Sequence, residues 1–305
     1  MEALLRRLDP NDSDISYFKD SLVRLKFGYE AEQRVDREWF EMPYLAEHYL
    51  LMNYEVQNEF GFSHQIDTLL LTKNFLLILE VKNIAGRIDY EELKHQFIRK
   101  RPNGTEDVLT NPIDQLNRHE EYFQRLLSKI KCPLPIEKAV VMANQSTIIG
   151  NVPNTVAFFH ASGLRAFVKK CMVKHHKQIT SSQLKKLSKI LLSKVESRRY
   201  DLNISFDRFR KGVLCENCNH QIQMNYSRGF WHCPKCGTQS KDALLKALDD
   251  YRLLISNQIT NREFREFFGV ESMITASNIL TRSPLIPVGN KKGKYYIIPE
   301  DILKK

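Results

Sequence analysis

Five consecutive apolar residues, Phe75-Leu76-Leu77-Ile78-Leu79, run directly into Glu80-Val81-Lys82. A run this apolar reads as a buried strand, and alternation along it places residues 80 and 82 on one face. Ending such a strand in a carboxylate and an ammonium carries a desolvation cost that a purely structural strand would avoid. His64 to Thr72 reads as a preceding strand, and Lys73-Asn74 is a connection short enough for a hairpin that brings Asp67 near Glu80. Carboxylates on adjacent strands can hold Mg²⁺ with waters and a phosphate, and Lys82 can then orient or polarise an attacking water. The same residues also read as a strand-end ion pair with Asp67 capping a turn, and spacing alone does not separate these readings.

The surrounding pattern predicts an α/β domain. Gly28 to Phe40 reads as a helix and Tyr49 to Val56 as a strand. Asn111-Pro112 opens a helix running to about Lys131, with proline where a missing donor costs nothing. Lys138 to Ala143 and Thr155 to Phe159 read as strands, followed by a helix from Ser162. Strands on both sides of a long helix make an α/β arrangement. Gln115 and His119, four apart, share a helical face; His119 reads as a surface or packing histidine.

Four separated motifs resemble the nuclease-related domain, or NERD, family of the PD-(D/E)XK nuclease superfamily. They are Gly28-Tyr29-Glu30-Ala31-Glu32, the pair Gln65 to Leu71 with Phe75 to Asn83, Gly86-Arg87-Ile88, and Asn111-Pro112-Ile113-Asp114-Gln115 with His119. The resemblance spans roughly residues 20 to 145. It implies a restriction-endonuclease-like mixed sheet flanked by helices and hydrolysis of DNA phosphodiester bonds with Mg²⁺ or Mn²⁺. Carried across, Asp67 and Glu80 become metal ligands, Lys82 the catalytic lysine, and Glu32 and Gln115 supporting groups. Ala31 stands where the family usually has a second glycine, and Ile66 precedes Asp67 where the wider superfamily often has proline. The alternative is a nuclease-like domain with weak or no turnover that acts as a DNA- or RNA-binding regulator or adaptor.

The chain is basic overall, +10, and the excess is local. Ala161 to Lys211 holds fourteen lysines and arginines against three acids, while the remainder holds 32 against 33. Such a block suits phosphate contact, with Lys185, Lys186 and Lys189 as candidates. Leu184, Leu187, Leu191 and Val195 recur at helical spacing after Thr180 and Ser181, so an amphipathic helix with a solvated face reads equally well.

Cys215-x2-Cys218 and Cys233-x2-Cys236 have the spacing of two knuckles that clamp one tetrahedral Zn²⁺. Four thiolates close the coordination, so this zinc is structural, and His220 and His232 are bystanders. Tyr226, Arg228, Phe230 and Trp231 between the knuckles suit either base and phosphate contact or packing of the ribbon. Cys132 and Cys171 read as small buried hydrophobes.

Ser240 to Ile255, a capped helix from Ile259-Thr260, and Ser272 to Thr281 read as three helices, the last two joined across Phe268-Gly269-Val270. Pro284 to Val288 and Tyr295 to Ile298 flank a basic tip. The layout resembles a winged helix, with Ser272, Thr275, Ser277, Asn278 and Arg282 toward a DNA groove and Lys291, Lys292 and Lys294 toward phosphates. The expected domains are a nuclease-like domain over 1–177, a basic helical linker over 178–211, a zinc ribbon over 212–239 and a winged-helix-like module over 240–305. The expected partner is nucleic acid, DNA ahead of RNA. With no apolar run long enough to span a membrane and no basic, apolar amino-terminal leader, a cytoplasmic protein is expected.

Overall fold

Two helices open the chain, α1 (Glu2–Arg7) and the long α2 (Ile15–Phe40). In this computed structural model, which describes residues 1–42, 45–195, 204–290 and 293–304, contacts divide the chain within α2. One unit is Arg24–Tyr200; the other joins Met1–Val23 to Asp201–Lys305.

The first unit is built on β1 (Tyr49–Gln57), β2 (Ser63–Leu71), β3 (Leu76–Lys82), β7 (Ile136–Met142) and β9 (Ala157–His160), in spatial order β1-β2-β3-β7-β9. The first three strands are antiparallel, while β3, β7 and β9 run parallel, so the sheet is mixed. The β2–β3 turn closes through the Thr72 hydroxyl, which accepts from the Asn74 and Phe75 amides at 3.1 and 3.0 Å.

Alternation sorts the strands between two helical layers. Leu77, Leu79, Ala139 and Val141 pack with Ala31 and Val35 of α2 and with Leu164 and Val168 of α4 (Leu164–Lys174). Leu76, Ile78, Val140 and Met142 pack with Leu116 and Phe123 of α3 (Pro112–Lys129) and Leu184, Leu187 and Leu191 of α5 (Ser181–Leu192). Glu80 and Lys82 continue this second series, toward α3. Each fully buried leucine or isoleucine contributes roughly 1.5–3 kcal/mol, and the five apolar residues before Glu80 offset the several kcal/mol that burying its charge costs.

A second sheet extends from this unit, in order β6-β5-β4-β8: β4 (Gly86–Glu91), β5 (Gln96–Lys100), β6 (Glu106–Leu109) and β8 (Thr147–Ile149). Gly86 begins it at φ +101, where a Cβ would lie 2.5 Å from the Lys100 carbonyl oxygen. Any side chain there would push β5 away, which explains glycine in this motif. The basic helix was expected as a linker; as α5 it belongs instead to the core of this unit, because its leucine stripe is buried while Lys185, Lys186 and Lys189 remain exposed.

In the second unit, β10 (Val213–Leu214), β11 (Gln223–Ser227), β12 (Phe230–His232) and β13 (Gln239–Ser240) form an antiparallel sheet that carries the two cysteine knuckles. Then come α6 (Ala243–Leu254), β14 (Gln258–Ile259), α7 (Asn261–Phe268), α8 (Met273–Arg282), β15 (Ile286–Val288) and β16 (Tyr295–Ile297), with sheet order β14-β16-β15. β14 was not expected from the sequence. Val213 and Trp231 share one core with Leu248, Phe264, Phe268 and Leu280, so the ribbon and the helical segment, expected as separate domains, fold around a single interior.

Residues 1–23, expected at the start of the nuclease-like domain, pack in this second unit. The reason is a buried ion pair: the Arg7 guanidinium, 1% exposed, donates to Asp250 at 2.9 Å and to the Gly212 carbonyl at 2.6 Å. Leu4 and Leu8 bury beside Phe209.

Candidate functional site

Asp67, Glu80, Lys82, Glu32 and Gln115 come together at the carboxyl end of β3. Thr68 pairs with Leu79 across β2 and β3, so the next step of the ladder sets Asp67 opposite Glu80. One Asp67 oxygen accepts the Val81 amide at 2.6 Å. Lys82 Nζ donates to Glu80 Oε1 at 2.6 Å and to Gln115 Oε1 at 2.8 Å. Gln115 is placed one turn into α3, whose start is fixed by Asn111 accepting the Ile113 amide at 3.0 Å.

Charge in this cluster is unbalanced. Burial and the neighbouring charge of Glu80 push Asp67 up to about 8, against the opposing Val81 hydrogen bond. Glu80, 4% exposed, is raised by burial although Lys82 pulls it down. Glu32 on α2 is raised by burial, with Asp36 and Glu80 adding repulsion and a hydrogen bond to Asn53 opposing it. Three carboxylates thus neighbour one ammonium in poorly solvated surroundings, without all three converging to within ligating distance of one another. A hard, oxygen-preferring divalent cation fits this donor set, since Mg²⁺ takes one or two carboxylates and keeps several waters.

Two contributors escaped the sequence reading. Asn53 sits in the middle of β1 at φ +50, and it drops out of a ladder whose register is the same on either side, Met52↔Thr68 and Tyr54↔Ile66. The only sequence signal was an asparagine, tolerant of this conformation, interrupting an apolar strand. His119, expected as a surface or packing histidine, is 4% exposed and packs, but its partner was missed: its Nδ1 lies 3.1 Å from that of His64 on β2, and burial and the His64 charge hold it down at about 4. The pair ties the strand carrying Asp67 to the helix carrying Gln115.

A mixed sheet between helical layers, with a carboxylate and lysine cluster at a strand end, defines an α/β domain with a built polar site. Residues 27–143 match the family model of the nuclease-related domain, NERD. This stretch contains all five site residues and Ala31, whose small side chain is buried between α2 and the sheet. No curated protein and no solved structure matches the chain. A nuclease-related domain implies a divalent metal and nucleic-acid binding.

The second unit holds the other metal-ligating group. Cys215, Cys218, Cys233 and Cys236 bring their sulfurs within 4.8 Å of one another, the one such group of three or more ligating side chains among the described residues. Cys215 lies 3.6 Å from Cys236 and Cys218 lies 3.8 Å from Cys233. Tetrahedral Zn²⁺ with bonds near 2.3 Å needs sulfurs about 3.8 Å apart, so the cluster fits a zinc ribbon. The knuckles turn through Asn219 and His220, at φ 49 and 58, and Gly237, at φ 72.

Of the surface candidates, Arg228, Asn278, Arg282 and Lys294 are exposed. Trp231 is not available to bases. It is 2% exposed, its ring tilted against Tyr226 at 5.2 Å within the core, because a ribbon this small must bury its largest aromatic. Ser272 spends its hydroxyl capping α8 at the Thr275 amide, 3.2 Å away, and Thr275 is half-buried, so neither presents a free reading group. Lys291 and Lys292 lie outside the described residues. No helix among the described residues is long and apolar enough to cross a membrane.

Proposed function

We propose that the chain is a divalent-metal-dependent nuclease that hydrolyses DNA phosphodiester bonds at Asp67, Glu80 and Lys82, supported by Glu32 and Gln115. The observation that carries this reading is Lys82 held between Glu80 and Gln115 beside a protonation-prone Asp67. Asp67 and Glu80 would hold Mg²⁺ or Mn²⁺. The bound ion supplies charge neutralisation at the phosphate and lowers the pKa of coordinated water. Lys82, anchored by Gln115, keeps its ammonium directed at the cluster, where it orients the attacking water. Glu32, tied to Asn53, adds negative potential that favours metal over an empty pair of acids.

Targeting falls to the second unit. Its order α6-β14-α7-α8-β15-β16 is that of a winged helix, in which α8 enters the major groove and the β15–β16 hairpin meets backbone. Asn278 and Arg282 lie on the exposed face of α8, Lys294 on the hairpin, and Arg228 at the ribbon tip. Structural Zn²⁺ on the four cysteines holds the ribbon. DNA is favoured because the major groove of B-form duplex admits a helix, whereas that of A-form RNA is too deep and narrow. Lys185, Lys186 and Lys189 supply further phosphate contacts from α5. Six unbridged cysteines suit a reducing, cytoplasmic compartment.

The alternative, a nuclease-like regulator without turnover, draws on the Lys82–Glu80 ion pair, which occupies one of the ligand oxygens. Purified protein incubated with plasmid, linear duplex, single-stranded DNA and RNA, with Mg²⁺, Mn²⁺ or chelator, decides between them. Metal-dependent cleavage of DNA supports the enzyme; tight binding of every substrate without cleavage establishes the regulator.

A further inference from the structure

The exposed face of α8 has an unusual composition. Ala276, Ile279 and Leu280 are buried, which leaves two parallel rows at a spacing of four outside: Met273, Ser277, Thr281 and Ile274, Asn278, Arg282. Solvent-facing helical stripes are normally charged, yet this one carries no acid and a single cation. Its amino-terminal end presents two large apolar side chains, Met273 at 64% and Ile274 at 70% exposure. Both line a concavity of about 800 Å³ that also takes in Asn278, Arg262, Lys294 and Tyr295.

The margins of this concavity are electropositive. Arg262, Arg265 and Lys294 border it, and its acid Glu263 is engaged by the backbone and hydroxyl of Thr260 in a capping box. Arg262 is spent on Glu266 at 2.7 Å, which leaves Arg265 and Lys294 against Glu263, two cations against one acid. Apolar side chains at the start of the helix, an amide one turn further and cations at the rim together match one kind of surface. The major groove of an A·T-containing duplex offers thymine methyl groups for apolar contact, adenine N6 and N7 for an asparagine, and phosphates on both sides. Residues at the amino-terminal end of a recognition helix are the ones that reach base edges.

We infer that α8 reads thymine methyl groups through Met273 and Ile274 and adenine through Asn278, which makes this unit an A·T-preferring duplex binder. The inference rests on the winged-helix reading given above and adds the chemistry of what is read. Burying one methyl group contributes about fourfold in affinity.

The test is fluorescence anisotropy of the full chain, without added divalent metal, on an A·T-rich 30-base-pair duplex. The comparison is the same duplex with every thymine replaced by uracil, which removes the methyl and nothing else. Uracil should weaken binding by about fourfold or more. Met273→Ser combined with Ile274→Ser should abolish the difference at unchanged zinc content, while Asn278→Ala should reduce the preference for A·T over G·C duplex. Equal affinity for the thymine and uracil duplexes, with binding intact, overturns the inference alone. No duplex binding at all removes the targeting role on which it rests. A wild-type dimer that the double variant turns into a monomer assigns the face to a second copy of the chain and likewise overturns it.

Discussion

The Lys82 ammonium on β3 and the Gln115 amide oxygen on α3 meet at 2.8 Å, joining the strand to the helix that covers it. Without Gln115, nothing on α3 holds the ammonium in place, and its pairing with Glu80 alone leaves it free to rotate. Gln115→Leu should therefore lower the cleavage rate at saturating Mg²⁺ by about 10- to 100-fold, the usual effect of losing an orienting partner at a metal site. Its effect on KM for DNA should be small, because the Gln115 amide oxygen is already engaged by Lys82. Steady-state kinetics on a plasmid substrate separates the two.

The raised pKa of Asp67 has a consequence for stability without metal. Its folded-state value is about 8, against an unfolded value near 3.8. Between these the folded state binds more protons than the unfolded state, so stability falls as pH rises through that window and the loss is complete above pH 8. Asp67→Asn should raise the melting temperature of metal-free protein at pH 8 by several degrees and leave it nearly unchanged at pH 4. Adding Mg²⁺ should stabilise the wild type at pH 8 and barely affect the variant. Differential scanning fluorimetry across pH reads both.

The His64–His119 pair acts in the opposite direction. Burial lowers both histidines, His119 to about 4. As pH falls from 6.5 toward 4 the unfolded chain takes up protons that the folded pair refuses, so stability drops over that range. His119→Gln should make the acid side of the stability curve shallower, measured by urea denaturation at pH 4.5 and 7.

Arg7 and Asp250 make a buried pair whose value lies in its completeness. Asp250→Ala leaves a guanidinium buried without a counter-charge and should cost the second unit about 3–5 kcal/mol. Adding Arg7→Met should recover much of that loss. Urea denaturation of the zinc-loaded single and double variants checks it.

Cys218→Ser should reduce bound zinc from about one ion per chain toward none and unfold the ribbon, since a structural zinc contributes folding energy directly. Because Val213 and Trp231 of the ribbon share a core with Phe264 and Leu280, the loss should spread to the helices. Metal analysis with circular dichroism follows both.

Much of the active strand was legible because its signals are local: an apolar run has one buried solution, and alternation assigns Glu80 and Lys82 to one face. The paired cysteines were legible for the same reason, since a zinc knuckle needs only its own few residues. What the sequence concealed was non-local. The left-handed backbone at Asn53, the contact between His64 and His119 across 55 residues and the docking of residues 1–23 through Arg7 and Asp250 leave no periodic trace. Trp231 was ambiguous because an aromatic between knuckles can face a base or the core, and only the packing of the whole unit decides.

Glu80 and Lys82 are proposed to form one metal-dependent cleavage site with Asp67. Its most direct measure is the single-turnover rate of DNA cleavage as a function of Mg²⁺ for wild type, Glu80→Ala and Lys82→Ala, each confirmed folded and zinc-loaded. The rate should rise with Mg²⁺ to a plateau in the wild type and fall by at least about 100-fold in each variant. Wild-type rates in either variant, or cleavage that persists in chelator, would contradict that proposal.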